Sequence, residues 1–267
     1  MEKSVILFLA TVVSNQQLTH NIWELVLSPR DNFDVMEFLP GQFVCLEPLA
    51  QDSVMARPFS VAMTNNSHNT FTIMYKVVGA NTKLMSQLQK DDQIKFWGPL
   101  GKGFLPNSLD YNEVFLIGGG IGIAPLVYYE KVVTTVQKGI ARVFYGNRTK
   151  EEIIPITFST HERVEIATDD GSEGFNGLVT NLAISFIKAN RQQNILVITC
   201  GPNIMMQKIA EICQEYKIEC YVLLERIMAC GIGQCLGCSI KTKSGMKKIC
   251  QDGPVFQAEE VIWHELN

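Results

Sequence analysis

Four cysteines near the carboxyl end carry the clearest chemistry in this sequence. Cys230, Cys235 and Cys238 stand in the spacing Cys-x4-Cys-x2-Cys, and Cys250 follows after eleven residues. This is the plant-type spacing for thiolate ligation of a [2Fe–2S] cluster. Three ligands on one short loop must converge, and Gly231, Gly233 and Gly237 supply the backbone freedom that wrapping needs. Zinc also accepts four thiolates, but its sites more often show paired Cys-x2-Cys knuckles. Cys213 and Cys220 read as core residues.

Three further stretches have the residue types of a dinucleotide and flavin machine. Arg57-Pro58-Phe59-Ser60 pairs a guanidinium able to hold a diphosphate with a hydroxyl able to bond a flavin edge, although an Arg-Pro-x-Ser tetrapeptide is also a common surface turn. Gly79-Ala80-Asn81-Thr82 opens a helix whose first N–H groups suit the same diphosphate. Gly118-Gly119-Gly120-Ile121-Gly122 lies between a strand and a helix, where glycines allow close approach of a pyrophosphate. It departs from the strict Rossmann fingerprint, because Ile123 stands where Gly or Ala is expected and no acid directly follows the next strand. Thr199-Cys200-Gly201-Pro202 ends another strand, at the edge where α/β sheets place ligands. Glu225 precedes the cysteine loop. Cys200 and Glu225 are therefore expected to flank the nicotinamide, with Ser60 near the reacting nitrogen of the flavin. A buried Cys is usually packing and a lone Glu usually solvated.

The elements that must position these residues fall into three blocks. Up to about residue 105, short β-branched and aromatic runs (Val5–Val13, Ile22–Leu27, Gln42–Leu46, Ser60–Met63, Thr70–Val78, Gln93–Trp97) alternate with turns, predicting an antiparallel barrel with one helix at Thr82–Leu88. From 106 to 224 the rhythm becomes strand, turn, helix, with strands at Val114–Ile117, Ala141–Tyr145, Val164–Thr168, Ile195–Thr199 and finally Tyr221–Leu224. Helices are expected from the glycine turn to about Gln137 and from Pro202 to Tyr216. Such alternation predicts a parallel sheet with helices on its faces. Residues 225–267 form a short segment that needs a staple to fold. The fold class is thus multidomain β + α/β.

Composition excludes several roles. The chain has 23 basic and 27 acidic residues, a net charge of -4, which gives no footing for a nucleic-acid partner. Val5–Val13 is too short to span a bilayer and lacks the flanks of a signal peptide, so a cytoplasmic protein without membrane segments is expected.

Taken together, these motifs resemble the ferredoxin reductase superfamily. More closely, the whole chain resembles the electron-transfer subunits of NAD-dependent, two-subunit dihydroorotate dehydrogenases. The shared stretches include Arg57–Ser60, Gly98-Pro99-Leu100-Gly101, Gly118–Leu126, Tyr145-Gly146-Asn147-Arg148, Thr168–Ser172 and Leu224-Glu225-Arg226. The resemblance implies FAD on the barrel, touched by Arg57, Pro58, Phe59, Ser60, Met74, Tyr75, Lys76, Asn81 and Thr82. It implies a dinucleotide at Gly118, Gly119, Gly120 and Gly122, and a [2Fe–2S] cluster on Cys230, Cys235, Cys238 and Cys250. It further implies an FMN-containing catalytic subunit as partner, two copies of each, in pyrimidine synthesis. Electrons would pass from that FMN through the cluster and FAD to NAD+. Related subunits of ferredoxin:NADP+ transhydrogenase or sulfide dehydrogenase type share nearly every motif, and a zinc-stabilised binding module is the non-redox alternative. Asn81 stands where the family often has Gly, and Asn tolerates the left-handed conformation such a turn would need.

Overall fold

The computed structural model describes residues 7–30, 33–49 and 55–266. Strands β1 (Phe8–Gln17), β2 (Ile22–Pro29), β3 (Phe43–Pro48), β4 (Arg57–Asn65) and β5 (Thr70–Lys76), helix α1 (Ala80–Met85) and strand β6 (Gln93–Leu100) build the first block. The strands close a barrel in the order β1-β2-β5-β4-β3-β6. Alternate side chains point inward, so Leu25 and Leu27 of β2 and Phe71 and Ile73 of β5 are fully buried. Phe33, Phe38, Phe71 and Phe96 fill the interior as a connected group, with ring centroids 5.3–5.6 Å apart. The first strand starts at Phe8, and Val5 and Ile6 of the expected run lie outside the described residues. Arg57-Pro58-Phe59-Ser60 is not a surface turn: it begins β4, with Ser60 opposite Phe43 and Arg57 opposite Leu46 on β3.

The second block runs β7 (Glu113–Gly119), α2 (Ile123–Lys131), β8 (Ala141–Asn147), β9 (Val164–Thr168), β10 (Phe175–Asn176), α3 (Val179–Ala189), β11 (Ile195–Cys200), α4 (Asn203–Tyr216) and β12 (Glu219–Leu223). β7 and β11 are apolar runs covered on both faces, as central parallel strands must be. A π-helical turn, Val132–Val136, continues α2 toward the expected end.

Helix α2 is buried at eight of its nine positions, from Ile123 to Glu130, because it lies between barrel and sheet. Adjacent tyrosines face opposite ways. Tyr128 packs into the barrel core and donates its hydroxyl to Phe38 O at 2.9 Å. Tyr129 packs under the sheet and donates to Pro40 O at 3.3 Å.

The last block holds hairpin β13 (Ser239–Thr242) and β14 (Gly245–Lys248), helix α5 (Ile249–Asp252) and β15 (Val255–Gln257). It corrects the expected end of the sheet. Tyr221–Leu224 is not the edge, because β15 pairs antiparallel with β12 and completes the order β10-β9-β8-β7-β11-β12-β15. Ile240, Ile249, Phe256, Val261 and Leu266 join a hydrophobic cluster that contains barrel residues Phe43 and Cys45 and sheet residues Phe115 and Val197. The segment is therefore anchored by burial as well as by its cysteines. Phe256→Ala should lower stability by about 3 kcal/mol, the usual cost of emptying an aromatic core site. A urea unfolding midpoint equal to that of the parent protein would show that β15 holds nothing together.

Candidate functional site

Two cavities flank the glycine turn after β7. The first, ≈ 140 Å³, has Phe43, Pro58, Phe59, Ser60 and Met74 on the barrel side and Ile121, Ala124 and Pro125 at the start of α2. Leu224, Glu225, Arg226, Met228 and Pro254 of the terminal segment close it. The second, ≈ 350 Å³, lies at the carboxyl ends of β7, β8 and β9, between Gly119, Gly120, Asn147, Arg148 and Asp169 on the sheet and Pro202, Ile204 and Met205 at the start of α4.

Strand register decides which barrel residues can reach a ligand. Ser60 and Met74 face the first cavity, and Lys76 faces the second. Tyr75, between Met74 and Lys76, points the other way: it is 1% exposed in the barrel core and donates its hydroxyl to Asn15 Oδ1 at 3.1 Å. Its side chain thus faces neither cavity, and what Tyr75 presents toward them is its backbone. The Ser60 hydroxyl has no protein partner among the described residues and is free for a ligand. Arg57 is exposed, with Nη1 donating to Met55 O and Ala56 O and the rest of its guanidinium unengaged among the described residues.

Turn chemistry at α1 also differs from expectation. Thr82 is buried, accepts from Val78 N at 3.0 Å and Gly79 N at 3.1 Å, and donates to Gly79 O. Its hydroxyl holds the turn. Asn81 is helical rather than left-handed, and its amide donates to Met55 O. What these residues can offer a diphosphate is backbone N–H, not side chain.

The glycines after β7 divide by role. A Cβ on Gly122 would lie 2.5 Å from Cys200 O, and one on Gly118 2.7 Å from Ile123 Cδ1, so these two let the turn pack on β11 and on its own helix. Gly119 and Gly120 line the second cavity, and Gly120 has φ +56°, a Cβ there meeting only Asn147 Oδ1 at 3.7 Å. Across from it, Asn147 Nδ2 is buried near the Tyr145 hydroxyl but makes no hydrogen bond of good geometry among the described residues, so it can turn to a polar ligand.

Glu225 and Cys200 are neighbours but not equivalent. Glu225 lies on the wall of the first cavity and reaches water there, while the protein atoms around it strip part of its hydration and raise its carboxyl above the usual range. Cys200 is 2% exposed and behind the wall. Burial, then the charge of Glu225, pushes its thiol far up, so it stays neutral.

The cysteine loop rests on the barrel. Trp97 Nε1 donates to Cys230 O at 3.2 Å, and a Cβ on Gly231 would come 2.7 Å from Cys45 Sγ. Backbone N–H groups of Ile232 and Cys235 each donate to Cys230 Sγ at 3.4 Å. Backbone donors, Gly237 first, hold the Cys235 thiol down to about 7, whereas burial and the adjoining Cys238 push Cys250 up to about 12. The left-handed positions are Gly231, Gly233 and, unexpectedly, Leu236 at φ +59°; Gly237 does not need its freedom. Among the described residues no three ligating side chains converge as a single zinc ion requires. The cysteines adjoin in two pairs instead: Cys230 Sγ accepts from Cys235 N at 3.4 Å, and Cys238 Sγ lies 3.2 Å from Cys250 Sγ. Two pairs, with N–H donors on the sulfurs, fit a two-iron cluster taking two thiolates on each metal. Cys238 and Cys250 are buried and Cys235 is exposed, so one end of the site faces outward.

Phe43, Met228 and Pro254 also form cavity walls, which the sequence does not announce. They carry no motif, and only their three-dimensional meeting reveals them.

Comparison with known proteins assigns this arrangement. The oxidoreductase FAD-binding domain matches residues 9–104, and the iron-sulfur cluster binding domain of dihydroorotate dehydrogenase B matches residues 225–262. The electron transfer subunit of dihydroorotate dehydrogenase B (NAD(+)) from Clostridium perfringens is 36% identical over 255 residues, covering 95% of this chain and 97% of that one. The chain belongs to this family. The electron transfer subunit from Clostridium acetobutylicum is 34% identical, over 95% of this chain and 96% of its own. Among solved structures, the NADH-dependent reduced ferredoxin-NADP oxidoreductase aligns with TM-score 0.82 and 29% identity over 96% of this chain and 91% of its own. The ferredoxin reductase of carbazole 1,9a-dioxygenase, 20% identical with TM-score 0.67 over 80% of this chain and 67% of its own, shares the fold. Among the described residues no helix is long and apolar enough to cross a membrane.

Proposed function

We propose that this chain is the electron-transfer subunit of an NAD-dependent dihydroorotate dehydrogenase, joining an FMN-bearing catalytic subunit to NAD+ in pyrimidine synthesis within the cytoplasm. The observation that carries the reading is the shared wall of the first cavity. Ser60 and Met74 of the FAD-binding barrel and Met228, two residues before ligand Cys230, line one space. Nicotinamide gives or takes a hydride and the cluster takes single electrons; bound FAD supplies the exchange between them. The protein's task is placement.

In this reading Ser60 bonds the reacting edge of the flavin, and Arg57 with the N–H groups of α1 holds its diphosphate. Gly119, Gly120 and Asn147 hold the dinucleotide, and Cys230, Cys235, Cys238 and Cys250 hold the cluster. Glu225 faces the nicotinamide ring, where its charge favours the positive oxidised form. Cys200, neutral and buried behind Glu225, positions it. Glu225→Gln should slow anaerobic reduction of bound FAD by NADH by roughly tenfold or more, with FAD content unchanged. Because the Glu225 carboxyl is raised, the parent rate should fall on acidification at a pH above the usual carboxylate range, and the Gln variant should lose that acid limb. Stopped-flow traces with equal rates and equal pH profiles would remove Glu225 from the site.

The partner would dock over the outward end of the cluster loop. Leu236, next in the chain to Cys235, is 61% exposed, and Ile227, whose carbonyl lies near Gly237, is 91% exposed. An interface core poor in charge is the expected use of such side chains. Coexpressed with the FMN-bearing subunit, Leu236→Glu should keep its flavin and iron yet elute as separate chains instead of an assembly of two copies of each, and lose dihydroorotate-driven NAD+ reduction. An intact complex of full activity would place the interface elsewhere.

A further inference from the structure

We infer that Glu152 sets the choice of NAD(H) over NADP(H), by keeping a carboxylate beside the place where a 2′-phosphate bound to Arg148 would lie; this rests on the second cavity being the dinucleotide site. β8 is the strand that follows the glycine turn and α2, and in doubly wound sheets the residues just past this strand meet the adenosine ribose. Here those residues are Arg148 and, at the end of a short 3-10 turn, Glu152. Both line the cavity, and Arg148 Nη2 lies 3.3 Å from Glu152 Oε1. Leu178 and Ile204, 46% and 64% exposed, face the same space and give an adenine ring apolar walls.

The two charges are not held alike. The Glu152 side chain is 24% exposed and set into the cavity wall, whereas that of Arg148 is 72% exposed. An ion pair so open to water is weak, so the pairing itself would not stop a phosphate from drawing Arg148 away. The obstacle is what stays behind. A 2′-phosphate bound to Arg148 would lie beside the Glu152 carboxylate, with the Asp169 carboxylate in the same wall. Unmodified ribose brings a hydroxyl that can donate to Glu152, as an acid at this place commonly accepts. Lys76 and Lys208 also stand in the wall and are the same in the parent and in Glu152→Gln, so a change between the two is not theirs.

Glu152→Gln keeps the side-chain shape, removes the repulsion and releases Arg148. In the FAD-loaded protein it should raise the ratio of kcat/KM for NADPH over NADH by about tenfold or more, the scale of one charge-assisted hydrogen bond gained. Calorimetry with 2′,5′-ADP and 5′-AMP as probes should show 2′,5′-ADP binding tighter by a similar factor, a readout that needs no turnover. Adding Arg148→Ala should abolish both gains. An unchanged ratio and unchanged 2′,5′-ADP affinity in Glu152→Gln, or gains that survive loss of Arg148, would overturn the assignment. Failure of NADH to reduce the parent protein would instead overturn the functional reading beneath it.

Discussion

Everything in this structure depends on burying α2 between two unlike layers. A helix apolar on all sides must be covered on all sides, and only the barrel on one flank and the sheet on the other do this. Tyr128 and Tyr129 fix the relation by reaching backbone carbonyls of Phe38 and Pro40, which lie on one barrel loop. That brings the glycine turn before α2 against Ser60 and Met74, and the first cavity exists because the turn cannot also fill the space beneath them. The terminal segment then closes the third side. Lys102 N donates to Gly253 O at 2.6 Å and Leu224 N to Pro254 O at 2.9 Å, tying barrel and sheet to one loop.

The thiols show how one residue type takes different characters from its surroundings. Cys45 and Cys200 are buried near negative or potentially negative groups and stay protonated, Cys45 being pushed up to about 12 by burial and then by Cys230 and Cys250. Cys235, exposed and ringed by backbone N–H, is readily a thiolate. Thiolate is the ligating form, and burial alone would work against it. The loop resolves the conflict with hydrogen bonds to sulfur from backbone that left-handed turns at Gly231 and Gly233 aim inward.

What the sequence revealed was what depends on near neighbours in the chain. Cysteine spacing, the glycine turn after a buried strand and the alternation inside β2 and β5 are local, and these stand close to their expected places, whereas helix α3 is not among the expected elements. Missed features depend on distant pairing. Tyr75 lies in the chain between Met74 and Lys76, yet a strand sends successive side chains to opposite faces, and only the barrel's closure says which face meets the ligand. The edge strand β15 has three residues and owes its existence to β12, more than thirty residues earlier. Cys200 sits at a strand end of the expected kind, but packing of Gly122 on its carbonyl puts the thiol behind the cavity rather than in it.

The central claim is that one chain joins a two-electron carrier to a one-electron centre through the shared first cavity. The most direct test is an anaerobic titration of the purified chain, loaded with FAD and iron-sulfur cluster, by NADH, followed by visible absorbance and low-temperature electron paramagnetic resonance. The account predicts bleaching of the flavin together with a spin-one-half signal from a reduced [2Fe–2S] cluster, without any partner subunit present. Bleaching of the flavin while the cluster stays oxidised and silent, when a small redox mediator poised at the same potential by NADH then reduces it, would show that the two centres are not joined in this chain.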